Sequence, residues 1–176
     1  MKKALLILFL IGVGLNVSSQ SWLNSTLNNE VRVSFPIQPE YRKVDNKEVY
    51  LCKTSSCAFM IGIAPKMIED YQKYNELSES DQLKTADSIL TNFIGGKIGI
   101  GNRRVDYIRT IKIGKFFGKE CGYTTETNNQ QSGKKRFSTL ILVRDKLYTF
   151  ECWYLDEKEH DAEKERFFSS IVIKNS

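Results

Sequence analysis

The chain has 176 residues, a formal net charge of +5, 41% hydrophobic and 27% charged residues, three prolines and one histidine. A chain of this length is the size of one domain and buries roughly two thirds of its unfolded surface, so a core forms without metal or dense cross-linking. The composition excludes collagen, coiled coil and wholesale disorder, and a single imidazole excludes a multi-histidine zinc site.

Met1-Lys2-Lys3 precedes an apolar run from Ala4 to Leu15. That run is too short for a membrane-spanning helix, which needs about 20 apolar residues. Val17 and Ser19 stand at the −3 and −1 positions of a signal-peptidase site before Gln20, so residues 1–19 read as a signal peptide. Cleavage there leaves 157 residues and lowers the charge to +3 by removing Lys2 and Lys3. No later stretch has transmembrane length, and the first cysteine, Cys52, lies far from the cut, unlike a lipid-anchored protein. The expected location is periplasmic or extracellular. Nucleic acid is a poor partner for an exported chain of such modest charge.

Export governs the reading of Cys52, Cys57, Cys121 and Cys152, because disulfides persist in an oxidising compartment. Cys52 and Cys57 flank the polar segment Lys53-Thr54-Ser55-Ser56. A hairpin there predicts the two cysteines opposite each other and makes them a candidate disulfide. Cys121 and Cys152 fall two strands apart if residues 135–143 run between them, about 10 Å, which is beyond bridging.

Residues 20–30 are polar and aperiodic and read as a flexible lead-in, with a single domain over 31–174. Asn24-Ser25-Thr26 matches a glycosylation sequon, read as chance in an Asn/Ser-rich segment. Val31, Val33 and Phe35 alternate with Arg32 and Ser34, a short strand stopped by Pro36. Strands 41–44 and 48–52 flank the turn pair Asp45-Asn46. Ala58–Ala64 is nearly all apolar, as expected of a central strand covered on both faces. Met67 or Ile68, Tyr71 and Tyr74 suggest a short helix. Ser78-Glu79-Ser80-Asp81 reads as a cap to a longer one, with Leu83, Ala86, Leu90 and Phe93 at helical spacing. Gly95-Gly96 is expected to close that helix.

Strand chemistry then returns at 104–113 and 119–127, joined around Gly114–Gly118, with a hairpin tip at Asn128–Gly133. Strands 136–143 and 147–155 meet at Asp145-Lys146. Asp156–Ser170 reads as a final helix, acidic at its start as the helix dipole prefers and docked by Phe167, Phe168 and Ile171. The expected fold is α+β, an antiparallel sheet sandwiched between helices (α/β/α).

Taken in order, Val31-Arg32-Val33-Ser34-Phe35-Pro36, the helix ending at Gly95-Gly96, Phe117-Gly118-Lys119-Glu120 and Phe168-Ser169-Ser170-Ile171 resemble the PsbP-like family. That family includes a lumenal subunit of the photosynthetic oxygen-evolving complex, a nuclear Ran-binding relative and small exported bacterial proteins. The resemblance spans about residues 29–173. It implies the α/β/α fold and a non-enzymatic, partner-binding habit, and it carries no catalytic residues to transfer.

Four features suggest chemistry. The glycine-rich stretch Gly95–Gly101 superficially suggests a phosphate loop, but phosphate loops precede a helix and this one follows it. His160 sits among Glu157, Glu159, Asp161, Glu163 and Glu165. Helical spacing spreads these carboxylates, so the segment reads as a solvated helix start rather than a metal patch. Basic residues gather late, and Arg103, Arg104, Lys112, Lys115, Lys134, Lys135 and Arg136 form a candidate surface for an anionic partner. Lysines that discourage edge pairing explain them as well. Tyr148, Phe150 and Tyr154 share a strand face and read as core, with a ligand pocket between sheet and helix as the alternative.

No motif calls for a cofactor or metal, and no histidine is placed to form a nucleophile triad. The functional expectation is therefore a non-enzymatic binding or accessory module acting through contacts with a protein partner. The alternatives are a carrier of a small apolar ligand between sheet and helix, and a thiol-dependent enzyme.

Overall fold

The structure, a computed structural model, describes residues 21–99, 103–125 and 134–174. The signal segment 1–19, Gly101 and the hairpin tip 128–133 lie outside the described residues. The strands are β1 Leu23–Leu27, β2 Val31–Phe35, β3 Glu40–Val44, β4 Lys47–Lys53, β5 Cys57–Ala64, β6 Arg103–Ile113, β7 Phe116–Thr125, β8 Lys134–Val143, β9 Lys146–Tyr154 and β10 Val172–Ile173. The helices are α1 Tyr71–Glu76, α2 Glu79–Ile98 and α3 Asp161–Ser169.

Seven strands form one antiparallel sheet in the order β3-β4-β5-β9-β8-β7-β6. Hairpin turns set most of the register. Asp45 and Arg144 take left-handed backbone (φ 54° and 57°), and Gly114 does so at 60°, as tight strand connections require. The join of β5 to β9 is non-local, pairing Cys57 with Tyr154 through Ala64 with Leu147.

Alternation gives this sheet two apolar faces. Phe59 and Ile61 of β5 join Tyr148 and Phe150 of β9 on one face, while Leu140 and Leu147 belong to a second core with Leu90 and Ile94 of α2. The first face is covered by α3 and a three-stranded sheet, β1-β2-β10. Phe167, the one fully buried residue of α3, meets Phe35 and Phe59 with ring centroids 5.7 and 5.0 Å apart. The α/β/α expectation holds, with the small sheet as an addition.

That small sheet corrects the reading of residues 20–30 as a lead-in. Leu23, Ser25 and Leu27 alternate with Asn24 and Thr26, and the strand pairs Leu27 with Val31. Asn28 and Asn29 take φ of 46° and 59°, a conformation asparagine tolerates better than most side chains. Glu30 ties this sheet to the large one. Its carboxylate accepts from Arg144 (3.0 Å), Lys146 (2.9 Å) and the Tyr148 hydroxyl (2.7 Å).

The last helix starts later than its acidic residues suggest. Asp156 instead accepts from the Lys158 amide (3.0 Å) and contacts His160 Nε2 at 2.7 Å, a local side-chain turn that competes with helix. At its other end, Ser170 Oγ accepts from the Ser34 amide (2.9 Å) and donates to the Phe167 carbonyl (2.7 Å). Ser170 thus joins α3 to β2.

The Cys52–Cys57 bridge is not formed, and all four cysteines are free and buried. The turn is tighter than expected, with the Thr54 amide donating to the Cys57 carbonyl at 2.8 Å. Cys57 therefore faces Thr54, while Cys52 pairs with Phe59. The two cysteines are diagonal neighbours, about 7–8 Å apart and beyond easy bridging. Ser56 and Thr54 hydroxyls donate to Glu163 of α3 (2.6 and 3.2 Å), which pins the turn. Cys121 pairs with Ser138 and Cys152 with Phe137, so those two point to opposite faces of the sheet.

Candidate functional site

The twenty residues of α2 are capped by Ser78, whose Oγ accepts from the Asp81 amide at 3.2 Å. Ala86, Leu90 and Ile94 are its buried residues. They follow i, i+4 spacing along one stripe, while Leu83 is 37% exposed. The stripe rests on β6, β7 and β8. The helix therefore covers one half of its sheet face.

The other half of that face remains open. Val49 of β4, Met60, Gly62 and Ala64 of β5 and Thr149 of β9 form the floor of a cleft of about 600 Å³, with Phe93 and Gly96 of α2 as its wall. The strand expected to be covered on both faces is covered on one, and Met60, Gly62 and Ala64 are only half-buried on the other.

Two glycines line this space. The sequence reading ends the helix at Gly95-Gly96, but α2 runs through both to Ile98. Gly114 is the only positive-φ glycine among the described residues, so neither Gly62 nor Gly96 serves a left-handed turn. A Cβ built on Gly62, Gly95 or Gly96 meets nothing within 4 Å, so close packing does not require glycine there either. Each helix glycine costs about 1 kcal/mol against alanine. The cleft lies where α2 leaves β4 and β5 uncovered, and Gly62 and Gly96 add no side chain to its floor or wall.

Its inner end is polar but closed. Lys97 of α2 forms an ion pair with Glu151 of β9, their side chains 14% and 4% exposed. Lys97 Nζ also donates to Ser138 Oγ at 3.2 Å, and Trp153 Nε1 donates to Glu151 Oε2 at 2.7 Å. A buried carboxylate is tolerated only when paired and hydrogen-bonded, and this network supplies both. At the opposite end Lys47, opposite Val44 in the β3–β4 hairpin, is exposed and also lines the cleft.

The basic residues singled out in the sequence divide into two groups. Arg103, Arg104, Lys134, Lys135 and Arg136 gather at one end of the sheet through the pairings Arg103–Thr125–Lys134, Arg104–Thr124–Lys135 and Tyr123–Arg136. Lys112 and Lys115 lie at the other end. Most are occupied locally. Arg103 donates to the Lys97 carbonyl and lies 5.3 Å from the Tyr123 ring centroid, Lys112 and Lys135 pair with Glu79 and Glu159 at 2.7 Å, and Arg104 faces Asp106 at 3.6 Å. Lys115 lies over Phe116 and Arg136 over Trp153. The structure does not bring the seven into one continuous surface.

Tyr148, Phe150 and Tyr154 are core beneath the small sheet and α3, on the face opposite the cleft. His160 contacts Asp156 and sets its ring edge against Tyr154 at 5.3 Å. Among the described residues no three His, Cys, Asp or Glu side chains converge as a metal site requires. Burial raises the Cys52 thiol to about 11 and raises Cys121. Contact with Cys57, then burial, raises Cys152. No helix among the described residues is long and apolar enough to cross a membrane.

Sequence reasoning missed Lys97 and Glu151 and treated Gly62 as one more apolar-strand residue. The available signal was Glu151, the one charged residue in the run Leu147–Tyr154.

No protein-family model and no curated protein matches the chain. Among solved structures, it is similar to the solution structure of cyanobacterial PsbP from Synechocystis sp. PCC 6803. The TM-score is 0.58 at 10% identity, covering 93% of this chain and 99% of that one. It is also similar to the crystal structure of PA94, a protein of unknown function from Pseudomonas aeruginosa, with a TM-score of 0.50 at 8% identity, covering 88% and 99%. Identities this low speak to architecture alone, and on that count the chain has the PsbP-like α+β fold.

Proposed function

We propose that this chain is an exported, non-enzymatic accessory module that works by binding, and that the cleft under α2 is where it binds. One observation carries the reading. An open apolar cleft lies beside α2, and glycine lines it at two positions where neither backbone conformation nor close packing calls for it. Its volume lies within the ~300–1,000 Å³ typical of small-molecule sites. That favours a small apolar ligand as the occupant. The export half of the proposal rests on residues 1–19.

Buried thiols with raised pKa values support binding over thiol chemistry, because a nucleophilic cysteine needs a lowered pKa and access. A protein contact is the second reading, favoured by edge strand β6. There Val105, Tyr107 and Ile108 are 40%, 40% and 48% exposed, and among the described residues β6 pairs with β7 alone.

Native mass spectrometry of the mature chain recovered from the exported fraction tests the proposal. The expected result is a chain beginning near Gln20 with a bound small molecule, which is absent from a Gly62→Leu variant. The same adduct on both proteins would overturn the cleft as the site. Rapid thiol labelling of the native protein would favour the enzyme.

A further inference from the structure

We propose that the cleft takes a single-chain amphiphile with a carboxylate head, its apolar chain lying along β5 over Gly62 and its head at Lys47. The inference rests on the reading of the cleft as the binding site and names the chemistry of its occupant.

The cleft has a direction. Register places Lys47 near Ala64 at one end of the floor and Glu151 against Met60 at the other. The four residue steps from Met60 to Ala64 span roughly 14 Å at about 3.4 Å each, the reach of an extended chain of about eleven methylenes. Between these ends the floor offers Val49, Met60, Gly62 and Ala64, with Phe93 along the wall. Unbranched Met60 adapts readily to a flexible apolar chain.

The two ends differ in charge. At the inner end the Lys97 ammonium is neutralised by Glu151, and the second carboxylate oxygen is taken by Trp153. That end presents no uncompensated charge to a ligand and suits a methyl terminus. At the outer end Lys47 forms no ion pair with any described residue, and its ammonium is free to meet an anion at the mouth. A single lysine matches a monoanionic carboxylate. A phosphate dianion would call for a second cation, and among the lining residues the remaining one is Lys97, already paired. Gly62 and Gly96 face this path from floor and wall, and side chains there would occupy the space the ligand's middle needs.

Calorimetric titration of the mature chain with dodecanoate, below its micelle concentration, tests the inference beside dodecanamide and phosphatidylglycerol vesicles. The expected result is one-to-one binding of dodecanoate. Lys47→Gln should weaken it at least fivefold while leaving dodecanamide unchanged. Gly62→Leu and Gly96→Leu should each weaken both ligands at least tenfold, with near-ultraviolet circular dichroism confirming that at least one of the pair is folded. Equal affinity for both ligands, unchanged by Lys47→Gln, would overturn the carboxylate assignment and leave the cleft standing. Undiminished binding in a folded glycine variant would overturn the cleft as well. Binding to vesicles without binding to dodecanoate would replace the soluble amphiphile with a membrane surface.

Discussion

Replacing Gly95 and Gly96 together with alanine should make the protein more stable, and the sign of the change decides how α2 ends. Both residues lie inside the helix, which continues to Ile98 with the Gly99 amide donating to the Gly95 carbonyl at 2.8 Å. A Cβ at either position meets nothing within 4 Å, so no overpacking opposes the change. Each substitution removes about 1 kcal/mol of unfavourable helix propensity, for a total of about 2 kcal/mol. For a chain of this size that raises Tm by roughly 4–8 °C. Urea unfolding of the mature chain, followed by far-ultraviolet circular dichroism, reads the change directly. Had the helix stopped at these glycines with a left-handed cap, alanine would instead cost on the order of 1 kcal/mol at that cap. A double variant less stable than the parent would refute the continuous helix.

Gly118→Ala should behave in the opposite way, losing about 1–3 kcal/mol by overpacking, because its Cβ would lie 2.6 Å from the Leu140 carbonyl oxygen; urea midpoints compare the two glycine classes. Lys97→Met or Glu151→Gln alone should cost roughly 3–5 kcal/mol by leaving a buried charge unpaired. Lys97→Met with Glu151→Leu should recover most of that loss in a double-mutant cycle. Burial raises the Glu30 carboxyl, but hydrogen bonds from Lys146 and Tyr148 and the charges of Lys146 and Arg144 outweigh it and hold the pKa below its usual value. A lowered folded pKa gives stability that is complete above the ordinary carboxylate pKa and is lost as pH falls through the folded value. Glu30→Gln should therefore flatten the acid limb of the stability curve, measured by urea midpoints from pH 7 downward.

Where a residue's neighbours along the chain decide its structure, the sequence was readable. Alternation placed β2 at Val31–Phe35, the turn pair Asp45-Asn46 separated β3 from β4, and Ser78 marked the start of α2. The errors fall where a local signal has two meanings. Asn28-Asn29 reads as polar linker or as a left-handed turn, and only pairing with β2 chooses the turn. Gly95-Gly96 resembles a helix end, yet Ile94 and Ile98 continue the apolar stripe past it and hold the helix on the sheet. Cys52 and Cys57 depended on a register that the Thr54 turn shifts. The cleft depended on something more remote. That α2 rests over β6–β8 and leaves β4 and β5 bare is a fact of tertiary packing, and no window of sequence contains it.

The most direct measurement of the central claim is amide chemical-shift mapping of the isotope-labelled mature chain titrated with dodecanoate. The account predicts shifts concentrated at Val49, Met60, Gly62, Ala64, Phe93 and Gly96, with the Trp153 indole signal moving through its bond to Glu151. Shifts confined to Val105–Ile108 on the edge strand, or gathered at the basic end around Lys134–Arg136, would contradict it.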